Sequence, residues 1–410
     1  MSAPSVRNRL DSIDVVRGAI MILMLLDHTR DFTHAGAIFS DPLDPKTTTV
    51  LIYVTRWVTH LCAPGFVMLA GLSVGLKQVR GTPGPSLTRF LWTRGLWLVV
   101  LEVAFFRYLI WTNFDMSFLA HLQVIWVIGL SMIVLAGLIR LPPAAVAILG
   151  AVIVLGHNAF DSIRVAGFPP VVNSPAPLPG LGARLWVLLH QGGFLPVAGR
   201  GSPIVFVNYP LLPWIGIMAL GSALAQVYAW PPPRRRRWLL LVSVGMAIGF
   251  VALRGVNVYG DPQKWTHQAT IVRTAMSFMN VQKYPPSLLY TLATLAPSLA
   301  ALALLDGRRM TSGFGGVLVT FGRVPFFFYA LQWVMAHISG LVVTTLMGKS
   351  IAPYFMNLLQ LITASPQPDF GGPLWSTYVC WIVGVCLLYW PCRWYANLKA
   401  QRRDWWLSYL

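Results

Sequence analysis

The sequence predicts an all-α polytopic membrane helix bundle of about ten transmembrane helices, with both termini on the inner side. Of its 410 residues, 56% are hydrophobic and only 11% are charged, whereas an ordinary soluble domain carries about 25% charged residues. Long apolar runs recur between charged or Pro/Gly-rich breaks, and about 20 residues cross the hydrocarbon once as a helix. Lys and Arg gather in alternate breaks, as cytoplasmic loops do. This composition excludes a typical cytosolic enzyme, a disordered chain and a nucleic-acid-binding domain. The net charge of +18 therefore reads as inner loops rather than as a polyanion site.

The first span, near residues 13–35, is apolar from Ala19 to Leu26 and flanked by ionisable groups. Arg7 and Arg9 ahead of it and Ala35, Gly36 and Ala37 behind it imitate a secretory signal. Arg17, Asp27, His28, Arg30 and Asp31 fit a retained helix better. The second span, 51–77, carries Ala70, Gly71, Ser73 and Gly75, a close helix-packing face rather than a phosphate loop. The third and fourth lie near 88–112 and 118–139, with His121 and Gln123 at the outer end of the fourth. After the fifth, 142–159, residues 160–203 form a long Pro/Gly-rich outer loop with no span of its own. Such a loop is a lid, a binding surface or a disordered segment.

The sixth and eighth spans, 205–229 and 284–305, open on the proline-broken "NYPLLPW" and "KYPPSLLY". Broken helices expose backbone groups where a cavity or protein satisfies them. The seventh, 236–254, follows the run Arg234 to Arg237. Residues 314–347 are long enough for one tilted span or for a span plus a re-entrant piece. The tenth span, 374–395, leads into a cytoplasmic tail, 396–410, and residues 1–410 form a single membrane domain. With the N-terminus inside, the inner segments hold Arg7 and Arg9; Lys77, Arg80, Arg89 and Arg94; Arg140; Arg234 to Arg237; Arg308 and Arg309; and Arg393, Lys399, Arg402 and Arg403. The four cysteines read as small buried residues. No CxxC, no paired Cys/His spacing and a single glutamate, Glu102, leave no dedicated metal cage to expect.

Chemistry concentrates in "RLDSIDVVRGAIMILMLLDHTRDFTHAGA", Arg9 to Ala37. Asp14 and Arg17 are three apart and can pair; Arg17 and His28, eleven apart, fall within about 20° of one helix face. Asp27, Arg30, Asp31 and His34 make a second ladder. Ionisable groups at membrane depth cost about 2.5 kcal/mol or more each, so they face a bundle interior or a watery cavity. Asp14 with Arg17 reads equally as a structural ion pair or a substrate contact. Beside Asp27, the His28 imidazole has the tautomer control and basicity that a general base needs. On the second span, Arg56 and His60 are level with Asp27 and His34 if the two helices are neighbouring and antiparallel.

These blocks, with "RWVTHLCAPGFVMLAG", "QVIWVIGLSM", "GDPQKW" and "FGRVPFFFYALQ", resemble bacterial membrane proteins similar to the catalytic domain of heparan-α-glucosaminide N-acetyltransferase. The resemblance runs from about Arg9 to Gln332. Arg17 and His28 also match the R-x10-H spacing of related integral-membrane sugar O-acyltransferases. The resemblance implies an acyltransferase of the bacterial inner membrane. Such an enzyme moves acetyl from cytosolic acetyl-CoA, a co-substrate rather than a resident cofactor, to a sugar, glycolipid or amine on the outer side. A first-helix histidine serves as base or acyl carrier: His28, or His34 in "THAGA", the counterpart of the amino-sugar enzyme's histidine. Asp27 orients the imidazole, Arg17 with Asp14 meets the CoA phosphates, and Arg30, Asp31, Arg56, His60 and His121 contact the acceptor. The lipid bilayer is the other partner, nucleic acid is not, and the oligomeric state stays open, a homodimer among the possibilities. The alternative is a proton-coupled secondary transporter using the same Asp/His/Arg stripe.

Overall fold

Helix α1 (Asp11–Thr33) runs unbroken through the expected first span. The computed structural model describes residues 10–165, 180–198, 202–310, 312–402 and 404–409. Arg7, Arg9, Arg403 and part of the 160–203 loop lie outside these residues. At its C-terminal end, the His34 N–H closes on Arg30 O while Gly372 N donates to Thr33 O at 2.8 Å and Ala35 N to Gly372 O at 2.9 Å. The chain thereby leaves α1 anchored to a distant segment.

Helices α2 (Val50–Thr59) and α3 (Cys62–Val79) form one span, Val50–Val79, interrupted at His60 and Leu61. Pro64 explains the break, because it lacks the N–H that would bond the carbonyl four residues back, and its ring crowds that carbonyl. The freed His60 carbonyl accepts the Tyr290 hydroxyl at 2.9 Å. Helix α4 (Gly84–Leu101) passes through a π-helical turn, Glu102–Phe106, into α5 (Arg107–Trp111). Strand β1 (Phe118–Leu122) precedes α6 (Val124–Leu138), whose N-terminal backbone N–H at Trp126 donates to Glu102 Oε2 at 3.0 Å. Helix α7 (Pro143–Gly156) ends in a 3₁₀ turn, His157–Phe160, and α8 (Leu181–Trp186) in a π-helical turn, Val187–Gln191.

Strands β2 (Gly193–Pro196) and β3 (Ile204–Val207) complete a sheet in the order β1-β3-β2, with β3 parallel to β1 and antiparallel to β2. Then follow α9 (Leu211–Leu224), α10 (Pro232–Val256), α11 (Ile271–Met279), α12 (Leu288–Leu305), α13 (Gly313–Arg323), α14 (Pro325–Leu346), α15 (Leu358–Thr363) and α16 (Leu374–Gln401).

The chain is mostly helical, and among the described residues seven helical segments, Val50–Val79 among them, are long and apolar enough to cross a membrane. Two details correct the sequence reading. The small sheet departs from all-α, and it places His121 on β1 rather than at the end of a span. The 314–347 run is not one tilted span: Pro325, which cannot extend a helix backwards, divides it into the short α13 and α14, the latter long enough to cross a membrane by itself. Lipid is the physical reason that Ile148 and Val152 of α7, Val244 and Ile248 of α10, and Val379 and Ile382 of α16 stay exposed. Helices α1, α3 and α9 sit inside that ring.

Glycines bring the inner helices together as the small-residue face predicts. A Cβ on Gly71 would lie 2.1 Å from Met218 O, and one on Gly221 2.2 Å from Met68 O, so α3 and α9 touch backbone to backbone. Between α1 and α13, Cβ atoms on Gly18 and Gly322 would lie 1.9 Å from Leu318 O and Asp14 O. Gly322→Ala is therefore expected to destabilise at or above the upper end of the about 1–3 kcal/mol typical of overpacking. Thermal unfolding in detergent checks this against Gly249→Ala, whose nearest neighbour would be 3.8 Å away; equal midpoints would refute the close approach.

Candidate active site

A cavity of about 490 Å³ opens inside the bundle, walled by α1, the His60 break, β1 and the segment ahead of α12. Asp27, His28, Arg30, Asp31, Arg56, His60 and His121 all line it. The one-helix stripe of ionisable residues thus faces a shared space. Arg56 Nη1 lies 2.5 and 2.6 Å from the two Asp27 oxygens, and Thr59 Oγ1 donates to Oδ1 at 2.9 Å. Arg56 is level with Asp27, as the antiparallel pairing requires.

That pairing corrects the role expected of Asp27. Its carboxylate is committed to Arg56 and Thr59, and the carboxylate near His28 is Asp31, at 3.8 Å from Nδ1. The i, i+3 spacing on a helix selects Asp31, because adjacent residues point about 100° apart. The His28 ring packs against Trp333, tilted by 36° with 3.8 Å between centroids. Arg30 bonds Asp31 at 2.6 Å and approaches Asp27 at 3.7 Å. Arg30 Nε and Nη1 and both His60 nitrogens are buried with no partner among the described residues. Buried polar groups are normally satisfied, so these atoms mark where a ligand or water belongs.

His121 receives the Gln123 amide at 3.0 Å on Nδ1 and stacks on Trp111. Burial pushes its pKa down to about 3, so the ring is neutral at physiological pH. Tyr284 also lines the cavity; burial raises its phenol, but Lys283 and Arg56 outweigh burial and hold it below its ordinary value. Lys283, Tyr209, Tyr284 and Trp333 were not singled out from sequence. Tyr209, Lys283 and Tyr284 sit in the proline-broken "NYPLLPW" and "KYPPSLLY" segments, which were the available signal. Trp333 had none, being one apolar residue among many.

His34 is placed differently. It caps the end of α1 in extended conformation, half-buried, and does not line the cavity. Its pKa is lowered by burial and by Arg30. Asp14 and Arg17 do pair, at 3.2 Å, and Arg17 also donates to Ser73 Oγ at 2.9 Å and Gly322 O at 3.0 Å. Arg17 lines a second cavity of about 300 Å³ at the other end of α1, together with Lys77, Arg94, Arg323 and Lys399; Asp14 is not in its lining. No carboxylate lines this cavity among the described residues. The two cavities share Met24, Phe66 and Val124. At 1.5 Å per residue, Arg17 and His28 are about 16 Å apart along α1.

A helical bundle with an apolar outer face and ionisable cavities at both ends of its central helix defines a polytopic integral membrane protein with a buried polar site. More narrowly, the chain belongs to the heparan-alpha-glucosaminide N-acetyltransferase catalytic family, which matches residues 9–255, more than half its length. Membership gives it a membrane acetyltransferase role in general terms. No curated protein matches the chain. Lys283, Tyr284 and Trp333, which also line the cavity, lie beyond the matched region.

Proposed function

We propose that the protein transfers acetyl from cytosolic acetyl-CoA, held in the basic inner cavity, to a sugar or amine acceptor held in the outer one. The observation that carries this reading is the meeting of the two cavities at Met24, Phe66 and Val124, one helical turn from His28. Five cations with no lining carboxylate among the described residues fit a polyphosphate ligand. The outer cavity balances Asp27, Asp31 and Asp41 against Arg30, Arg56 and Lys283 and adds Trp111, Trp333, Tyr209 and Tyr284. That combination suits a polar, near-neutral acceptor such as a glycan ring rather than a polyanion.

His28 is the proposed base or acyl carrier, with Asp31 steadying its imidazole. In direct transfer the imidazole takes the acceptor's O–H or N–H proton while the new bond to the acetyl carbon forms. The thioester C–S bond then breaks, and the departing thiolate recovers the proton. In the two-step route the imidazole nitrogen holds the acetyl group between CoA release and acceptor attack. Arg30 and His60, with their unpartnered nitrogens, contact the acceptor, as do Asp31, Arg56 and His121; Asp27 holds Arg56 in place. Arg17, steadied by Asp14, meets the CoA phosphates. The ten-span, N-in and C-in arrangement belongs to this reading, since it places Lys77, Arg94 and Lys399 on the cytosolic side. The transporter alternative gains no support from the family.

Inside-out vesicles test the reading. Labelled acetyl-CoA is added outside, and a panel of amino sugars and hydroxylated glycans is trapped within. Labelled lumenal product is expected. CoA left intact, with no product and no acetylated protein, would overturn it. Arg94→Glu, which reverses a charge in the inner cavity, is expected to raise KM for acetyl-CoA about tenfold, the equivalent of roughly 1.4 kcal/mol, with a smaller change in kcat. Steady-state kinetics over an acetyl-CoA series checks this; a kcat loss at unchanged KM would contradict a binding role.

A further inference from the structure

A second cluster lies away from both cavities, where α7 ends against the outer loop. His157 Nδ1 and His190 Nε2 are 3.3 Å apart, and Asp161 Oδ1 is 3.7 Å from His190 Nε2. These ligand atoms all lie within 4.8 Å of one another. Both imidazoles are buried, at 2% and 3% exposure. The His157 carbonyl is a further 3.0 Å from the same His190 nitrogen. One ring nitrogen is thus met by an imidazole nitrogen, a carboxylate and a carbonyl. It can offer at most one proton to these three acceptors. A single cation satisfies all of them.

From this geometry we propose that His157, His190 and Asp161 form a binding site for a divalent transition metal of the zinc class. Zinc bonds imidazole nitrogen at about 2.0–2.1 Å, so two nitrogens of one tetrahedral site stand about 3.3 Å apart, the separation found here. Two imidazoles and one carboxylate suit zinc-class metals and not calcium or magnesium, which take oxygen ligands. Asn158 Nδ2 donates to the other carboxylate oxygen, Asp161 Oδ2, at 2.8 Å, the outer support that ligating carboxylates receive. The His157 carbonyl or a water completes four-coordination.

The site has a structural role. Asn158 Oδ1 also accepts the Leu288 N–H at 2.8 Å, joining the cluster to the start of α12. The small gap beside Asp161 and His190 is closed by Gln282 and Pro285, and Gln282 also lines the outer cavity. A bound metal ties the end of α7, the outer loop and this cavity wall together. Sequence spacing hid the cluster because the histidines are 33 residues apart, with no Cys or close His pair to flag them.

The test uses the full chain, purified without a histidine tag, stripped with a chelator and titrated with Co²⁺. Binding of about one cobalt per chain is expected, with the intense visible absorption of a four-coordinate site and a higher unfolding midpoint. His190→Ala should abolish the spectrum, and Asp161→Asn, at a partly exposed position that preserves shape, should weaken binding at least tenfold. His267→Ala should leave both unchanged. If wild type binds no cobalt above a tenth of an equivalent, or shows only the weak spectrum of six-coordinate cobalt, the proposal falls whatever the variants do. A full spectrum in both His190→Ala and Asp161→Asn would also sink it. None of these readouts depends on acetyl transfer.

Discussion

His28→Ala is expected to reduce acetyl transfer by about 10²–10⁴-fold, the usual worth of a positioned acid–base group, while the protein still inserts and unfolds near the wild-type temperature. The ring packs against Trp333, and its Nδ1 has no hydrogen-bond partner among the described residues. Its removal therefore costs packing area but no buried bond. The readouts are labelled product from acetyl-CoA and, separately, CoA release without an acceptor. Loss of both places His28 before CoA departs, as an acyl carrier or as the base for the first step. Loss of transfer with acceptor-independent CoA release retained assigns it to the second step. Asp31→Asn should give a smaller loss, about tenfold, because at 3.8 Å the carboxylate steadies the ring without a short bond. His34→Ala discriminates further. His34 lines neither cavity, so a loss as large as that of His28→Ala would move the chemistry to the end of α1 and contradict the assignment.

The stripe on α1 was legible because helix periodicity is local: residues three, four and eleven apart share a face whatever surrounds them. That is why Asp27, His28, Arg30 and Asp31 could be expected in one cavity, and why Arg17 could be placed on the same wall lower down. Which carboxylate serves His28 was less legible. Sequence adjacency favoured Asp27, while the competing claim of Arg56 and Thr59 on that carboxylate depends on a neighbouring helix. His34 was misplaced for a related reason: the ladder assumed that α1 continues, whereas the backbone turns extended at His34 to meet Gly372, 338 residues away in sequence. The sheet that carries His121 was hidden because "FLAHL" is as apolar as a span, and only pairing with Ile204–Val207 shows it as strand. Pro64 and Pro325 were visible signals. Proline reports the break reliably, but not what the freed carbonyl will meet.

Asp27→Asn is expected to destabilise the fold by about 3–5 kcal/mol, the cost of removing one partner from a buried ion pair, and by more than Arg56→Met does. The asymmetry follows from what remains. Without the Asp27 charge, Arg56, Arg30 and Lys283 share the cavity with Asp31 as the nearest carboxylate, and Arg56 loses both of its short contacts. Without Arg56, Asp27 keeps the Thr59 hydroxyl at 2.9 Å and Arg30 at 3.7 Å. One deletion leaves unneutralised cations and the other leaves an anion still hydrogen-bonded by Thr59 and near Arg30, so the first costs more. Thermal unfolding of both single variants and of the Asp27→Asn, Arg56→Met double variant measures the coupling. The double variant should be less destabilised than the sum of the singles. Equal single costs with strict additivity would mean that the pair holds neither helix and that Asp27 does not position Arg56.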